Sequence, residues 1–275
     1  MNAWQWDPTL YTGSADHYLK GRFPYPRALR DALADALGLD GTGRLLDVGC
    51  GPGTLTGLLA GDFAEAVGVD ADPDMVAAAT ARAAPNTRYR HLRAEELPAD
   101  LGTFRLVTLA QSFHWMDRPL VAAAVRAMLA PGGTCAHVHA STHQGVETDD
   151  LPHPRPPHAA ITDLVRAYLG PVRRAGRGQL AQGTASDEEP IYRAAGFTGP
   201  ERVEVPGRLI TRTADETVAL VFSLSSSTPH LFGERRADFE ADLRALLRTS
   251  SPGGTFSELT SNIAVDLWGA RTTRP

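Results

Sequence analysis

The sequence predicts an α/β chain built on a doubly wound, mostly parallel seven-stranded sheet. Three observations carry this. Short apolar runs alternate with helix-length stretches from residue 43 to 141. The first run, GRLLDVG, opens into glycines at alternate positions and then a helical stretch. Two further strand-like runs, ERVEVP and FSELTSNIAVDLWGA, follow after the rhythm breaks.

The elements follow in chain order. Residues 1–42 read as two helical pieces separated by RFPYP, and the amphipathic ALRDALADALGL leads into the first strand. GRLLDVG is that strand and TLTGLLAGD its helix. AEAVGVD is the second strand, and PDMVAAATARAA is a helix with Pro73 in its first turn. TRYRHL and FRLVTLAQS are the third and fourth strands, the latter apolar and buried. RPLVAAAVRAML is a helix stopped by Pro131-Gly132-Gly133, and TCAHVHAST is the fifth strand.

Residues 144–160 are proline-rich and polar, hence a loop, and ITDLVRAYLG is helical. RRAGRGQLAQG is a basic, glycine-rich loop. EEPIYRAAGF is a helix capped at Gly196, before strand ERVEVP. TADETVALVFSL begins with a threonine cap and an acid three residues on, and ERRADFEADLRALLRT is an amphipathic helix. No internal repeat is present. The organisation expected is one domain over 1–275. It has N-terminal cover helices (1–42), a core (43–143), a loop-rich insertion (144–186) and a helical cap (208–252) before the last strand.

A chain of 275 residues with 43% hydrophobic content has ample core for one domain. The net charge is -5 and there is no basic run, which argues against a nucleic-acid partner. Lys20 is the only lysine, a mark of a GC-rich bacterial genome rather than of chemistry. Cys50 and Cys135 make no disulfide framework and read as small buried fillers in a reducing compartment. The N-terminus MNAWQWDPTL is not a signal peptide, and no apolar run approaches the roughly 18 residues of a membrane span. A soluble cytoplasmic protein is expected.

Gly49, Gly51 and Gly53 between a strand and a helix start make a nucleotide site, because glycine lets backbone N–H groups approach a ligand. A dinucleotide fingerprint needs its third glycine one position later than Gly53. Asp47, just before the loop, would also repel a pyrophosphate. A ligand carrying an ammonium and a sulfonium suits that carboxylate. Asp70, ending AVGVD, is placed to accept from ribose hydroxyls.

LLDVGCGPG, GVDADPDM, RAEELP, FRLVTLAQSFHW and MLAPGG, in this order over residues 43–141, resemble the class I S-adenosylmethionine-dependent methyltransferases. ADHYLKGRFPYP with QSFHWMD is similar to their small-molecule branch, which includes trans-aconitate methyltransferase-like proteins. The resemblance implies a Rossmann-like fold and S-adenosylmethionine as cofactor. It implies that Gly49, Gly51 and Gly53 hold the methionine moiety, with Asp47 near its ammonium. Asp70 would bind the ribose. Ala71 and Met75 would line the adenine pocket, and Ala94 and Glu95 would sit at the adenine edge. Many relatives carry Gly-Asp where this chain has Leu92-Arg93, so the usual carboxylate to the adenine amino group is missing. Gln111 would face the methionine and substrate side. Tyr18 and Arg22 match an N-terminal Y-x-x-x-R-P-x-Y-P pattern, broken by Phe23, and Arg22 is a candidate partner for the cofactor carboxylate.

Methyl transfer from a sulfonium needs a base only when the acceptor is protonated, and no base is obvious in this sequence. His114 is the first candidate and, with Trp115, sits where doubly wound sheets bind ligands. His137 and His139 share one strand face, and His143 follows. No ligand set for a metal is recognisable. His139 and His230 are candidate substrate residues, with Phe232 beside the latter, and Arg173, Arg174 and Arg177 form a candidate anion site. The function expected is methyl transfer to a small-molecule acceptor. The alternative is a cofactor-binding protein of the same fold that transfers nothing. A nicotinamide oxidoreductase and a nucleic-acid methyltransferase are disfavoured by Asp47 and by the charge.

Overall fold

The computed structural model describes residues 7–172, 174–175, 178–179 and 187–270. In chain order the elements are α1 (Ala15–Gly21), α2 (Arg27–Leu37), β1 (Arg44–Val48), α3 (Thr54–Leu59), β2 (Glu65–Asp70), α4 (Pro73–Thr80), β3 (Thr87–His91), β4 (Phe104–Ala110), α5 (Arg118–Met128) and β5 (Leu129–His139). There follow α6 (His158–Leu169), β6 (Arg174–Ala175), β7 (Gly178–Gln179), α7 (Glu188–Ala194), β8 (Phe197–Val205), β9 (Leu209–Thr213), α8 (Ala214–Phe222), α9 (Arg236–Ser250), β10 (Thr255–Leu259) and β11 (Ile263–Ala270).

The main sheet has seven strands in the order β3-β2-β1-β4-β5-β11-β8. β1 to β5 pair in parallel, and β11 runs antiparallel to both of its neighbours. The period of two along each strand divides the core. Leu46, Val67 and Val107 face α5, with Tyr192 and Trp268 in the same cluster. Leu45, Ala66 and Leu106 face the other way, onto Leu29 and Leu33 of α2 and Leu55 and Leu59 of α3. Strand order reverses between β1 and β4, so the chain leaves a crevice at their carboxyl ends.

Local signals set the helix starts. Asp72 caps α4 by accepting from Asp74 N (2.9 Å) and Met75 N (3.1 Å), with Pro73 at the first position. Thr213 and Glu216 close a reciprocal capping box on α8.

A third apolar cluster lies outside the sheet. Ile161 and Leu169 of α6 pack with Phe222, Phe232, Phe239 and Phe256, and the Phe232 and Phe239 rings stack at 4.0 Å. The cover meets this unit closely. A Cβ on Gly21 of α1 would lie 2.1 Å from Leu220 N of α8, so only glycine fits there.

Three expectations need correction. The last strand is two: β10 pairs with β9 in a separate two-stranded sheet of the cap, and only β11 joins the main sheet. The break falls at residues 260–262, where Asn262 Oδ1 accepts from Gly207 N. The cap therefore contains a β-ribbon as well as helices. Third, α5 ends at Met128 and β5 starts at Leu129, so Pro131-Gly132-Gly133 lie within an irregular strand start rather than at a helix stop. Arg173 and Arg177, and the side chain of Arg174, lie outside the described residues. Among the described residues, no helix is long and apolar enough to cross a membrane.

Candidate functional site

The crevice at the switch point opens into a cavity. β1, the glycine loop, the end of β2, the segment after β3 and the end of β4 build its floor, and the N-terminal cover closes it. Asp47 on β1 is 1% exposed. Its carboxylate accepts from Thr56 Oγ1 (2.6 Å) and Thr108 Oγ1 (2.8 Å). Burial pushes its carboxyl up and the two threonine hydroxyls pull it back. Asp70, the last residue of β2, accepts from Gly51 N (2.8 Å) and Asp72 N (2.9 Å). Burial outweighs those bonds and pushes Asp70 up to about 6.

The three glycines have different reasons. At Gly51 φ is +53°, and a Cβ would meet no atom within 4 Å, so its face opens onto the cavity. At Gly49 a Cβ would lie 2.4 Å from Ser112 Cβ, and at Gly53 it would lie 2.6 Å from the Tyr89 hydroxyl. Gly49 lets β4's end pack against the loop, and Gly53 makes room for Tyr89. Gly53 is not among the lining residues of the cavity.

Ala71, Met75, Ala94 and Glu95 line one end of the cavity. Glu95 Oε1 accepts from Asp117 N (2.9 Å), which braces this wall against the start of α5. Tyr18 lines the covered side, with Tyr11 edge-on at 6.5 Å. Burial, then the neighbouring Tyr18, pushes the Tyr11 phenol up to about 12, so it stays protonated. Arg22 does not line the cavity. Its Nε and Nη2 donate to the hydroxyl and carbonyl of Ser223 (2.8 and 2.9 Å), with its guanidinium 4.8 Å from the Tyr18 ring centre. Among the described residues, no lining residue of this cavity is Arg, Lys or His. Neither Asp47 nor Asp70 is ion-paired among the described residues.

A second, more open pocket adjoins the first, and Gln111 and Ser112 line both. Gln111 holds φ at +57°, in the left-handed region that most side chains avoid. His114, His137, His139 and Glu188 line the second cavity, closed by Ser261 and Asn262 of the β10–β11 turn. Trp115 belongs to the first cavity, with its indole beside the Tyr11 hydroxyl. His230 lines neither cavity. Its Nδ1 lies 3.2 Å from the Thr12 carbonyl, joining cap to cover, while Phe232 is core of the cap.

The structure thus gathers Tyr18, Asp47, Gly49, Gly51, Asp70, Ala71, Met75, Ala94, Glu95 and Gln111 around one space. It leaves Gly53, Arg22 and His230 outside. Sequence reasoning missed Tyr11, Tyr25, Leu92, Ser112 and Met116. Tyr25 was readable as the second tyrosine of the N-terminal pattern, while the others carry no local signal. Among the described residues, no three His, Cys, Asp or Glu side chains are grouped to hold a metal.

An adenosyl cation fits this chemistry. Among the described residues the carboxylates have no ion-pair partner and no basic side chain lines the cavity, while Gly51 presents bare backbone.

Comparison with known proteins agrees. Residues 45–133 match the methyltransferase domain family. An uncharacterised methyltransferase of Mycobacterium tuberculosis is 37% identical over 128 residues, 46% of this chain and 51% of that protein. A trans-aconitate 2-methyltransferase of Mycobacterium ulcerans is 42% identical over 79 residues, 28% of this chain and 27% of that protein. The chain spans about half the length, or less, of these curated relatives. Among solved structures, the YcgJ protein of Bacillus subtilis superposes with a TM-score of 0.52 at 17% identity, over 90% of this chain and all of that one. A phosphoethanolamine N-methyltransferase of Haemonchus contortus, solved with phosphomonomethylethanolamine and S-adenosylhomocysteine, gives 0.53 at 17% identity, over 96% and 58%. These structures share the fold.

Proposed function

We propose that this chain, with its methyltransferase domain over residues 45–133, transfers a methyl group from S-adenosylmethionine to a small organic acceptor. The charge of the first cavity supports this most. Asp47 and Asp70 line it, and no cationic side chain among the described residues does. A sulfonium and an ammonium stabilise both buried carboxylates, whereas a diphosphate opposes them.

In this reading the Gly49 and Gly51 backbone holds the methionine part and Asp47 faces its ammonium. Asp70 accepts from the ribose hydroxyls. Ala71, Met75 and Leu92 flank the adenine, with the Ala94 N–H as donor and Glu95 at its edge. Arg22 is occupied by Ser223, so the tyrosines of the cover, not Arg22, are left to meet the cofactor carboxylate. Arg22 supports the face of Tyr18 instead. The bound cofactor supplies an activated methyl, and the chain's own work is to position the acceptor and exclude water. Residues 1–42 serve as cover and 208–252 as cap, with the core at 43–143 and the insertion at 144–186. The free, buried Cys50 and Cys135 suit a reducing, cytoplasmic location.

Isothermal titration with S-adenosylhomocysteine and with NAD tests the reading. Heat with the first and none with the second is expected. Binding of NAD alone, or no heat with S-adenosylhomocysteine at about millimolar concentration, overturns it.

A further inference from the structure

We infer that the second cavity receives the methyl acceptor and that His139 is its general base, so that the acceptor is a small compound bearing an O–H or N–H group. This rests on the methyl-transfer reading above.

Among the described residues lining the first cavity, no carboxylate is left for the acceptor's proton, because in this reading Asp47 and Asp70 are committed to the cofactor. Each carboxylate oxygen of Asp47 and Asp70 already accepts from a protein donor, and Glu95 is tied to Asp117. Burial pushes the phenols of Tyr11 and Tyr25 and the Cys50 thiol up, so all three hold their protons at neutral pH. A base must come from next door, across Gln111 and Ser112.

His139 is built for that role. Its Nε2 lies 2.9 Å from Asp266 Oδ2 on the neighbouring strand β11. Arg202 of β8 clamps Asp266 through Nε (2.8 Å) and Nη2 (3.1 Å). Burial pushes Asp266 up, but the bonds from Arg202 and His139 outweigh it and hold the carboxyl below its usual range. An ionised Asp266 accepts, so Nε2 carries the proton and Nδ1 presents its lone pair. This is the role a buried carboxylate plays for a base histidine in a triad.

The surrounding groups favour the same assignment. His137 stacks on His139 at 4.5 Å, with its Nδ1 2.8 Å from the Tyr192 hydroxyl. Burial, then the His139 charge, holds His137 down at about 3, so it stays neutral and adds no competing cation. Glu188 lies on the wall of the same cavity. His114, the base expected from the sequence, shares the wall but leans on Trp115 at 4.8 Å.

In the step, the acceptor's oxygen or nitrogen lone pair forms the new bond to the methyl carbon. The carbon–sulfur bond breaks and its electron pair stays on sulfur, which becomes a neutral thioether. The acceptor's proton passes to His139 Nδ1 and then to solvent, while Asp266 stabilises the imidazolium.

The test uses the full chain, with His139→Gln and Asp266→Asn as variants. Transfer of a tritiated methyl is followed from about pH 5 to 9 with phenol, benzyl alcohol, benzylamine and benzoate. Transfer to at least one of the first three is expected, with an acid limb that disappears in His139→Gln as the rate falls about 10²–10⁴-fold. Independently of turnover, diethyl pyrocarbonate should carbethoxylate His139, and Asp266→Asn should slow that reaction. S-adenosylhomocysteine affinity should be unchanged in both variants. Transfer confined to benzoate, no transfer to any protic acceptor, an unaltered pH limb or an inert His139 overturns the inference. Failure of the wild type to bind S-adenosylhomocysteine instead removes the cofactor reading, and the inference falls with it.

Discussion

Asp70, if it binds the ribose as proposed, should make cofactor affinity depend on pH in a range where the ligand itself does not titrate. Burial raises its carboxyl from 3.8 to about 6. Ribose hydroxyls donate best to the ionised form, so binding at low pH must first remove a proton. Asp70 is about nine-tenths ionised near pH 7 and about one-tenth ionised near pH 5. Affinity for S-adenosylhomocysteine should therefore fall about tenfold across that interval, or about 1.4 kcal/mol. Isothermal titration at several pH values, in two buffers of different ionisation enthalpy, reads both the affinity and the proton released. Asp70→Asn should bind more weakly, with a flat profile. The unliganded protein should show the opposite trend in stability. A folded-state value above the unfolded one contributes stability that is present below about pH 4 and lost as pH rises through about 6, at most about 3 kcal/mol. A wild-type affinity that is level from about pH 5 to 7 would refute both the raised carboxyl and its contact with the ligand.

Gly51→Ala places a methyl in open cavity space at a φ of +53°, so it should cost about 1–2 kcal/mol of folding stability. Its S-adenosylhomocysteine affinity should fall further than that; equal binding would show that the ligand does not approach this backbone. Asp47→Asn removes a buried charge while keeping an acceptor for Thr56 or Thr108, and should weaken S-adenosylhomocysteine by about 1.5–3 kcal/mol in calorimetry. No change would mean that the ammonium lies elsewhere. Glu258 is 0% exposed and lies 3.4 Å from Arg212, which is itself 5% exposed. Glu258 also accepts from Gly145 N and pairs with His158, so this one carboxylate joins the cap ribbon to the 144–158 segment. Glu258→Gln should cost about 3–5 kcal/mol in urea unfolding, and Arg212→Met with Glu258→Leu should recover most of it. A loss below about 1 kcal/mol would show that the pair carries no buried charge.

Much of the cofactor half was legible because its rules are local. Asp47, the glycine loop and Asp70 fall within 24 consecutive positions of one strand–loop–helix–strand unit, and period-two burial fixes which strand residues face which layer. The capping of α8 was readable from Thr213 and Glu216 for the same reason. Gly53 shows the limit. Its place in the motif suggested ligand contact, yet its neighbour is the Tyr89 side chain, brought there by β3.

The amino-acid order alone determined the doubly wound core, the glycine loop and the two carboxylates at the ends of the strands beside it. Those depend on contacts a few residues long and on the alternation of a strand. Tertiary structure alone decided that Arg22 meets Ser223, 201 positions away, and that His139 meets Asp266, 127 positions away. Both pairs depend on where the chain returns after its insertions, and β11 lies between β5 and β8 only once the cap has folded back. Loop closure over such distances leaves no periodic trace in the residues themselves.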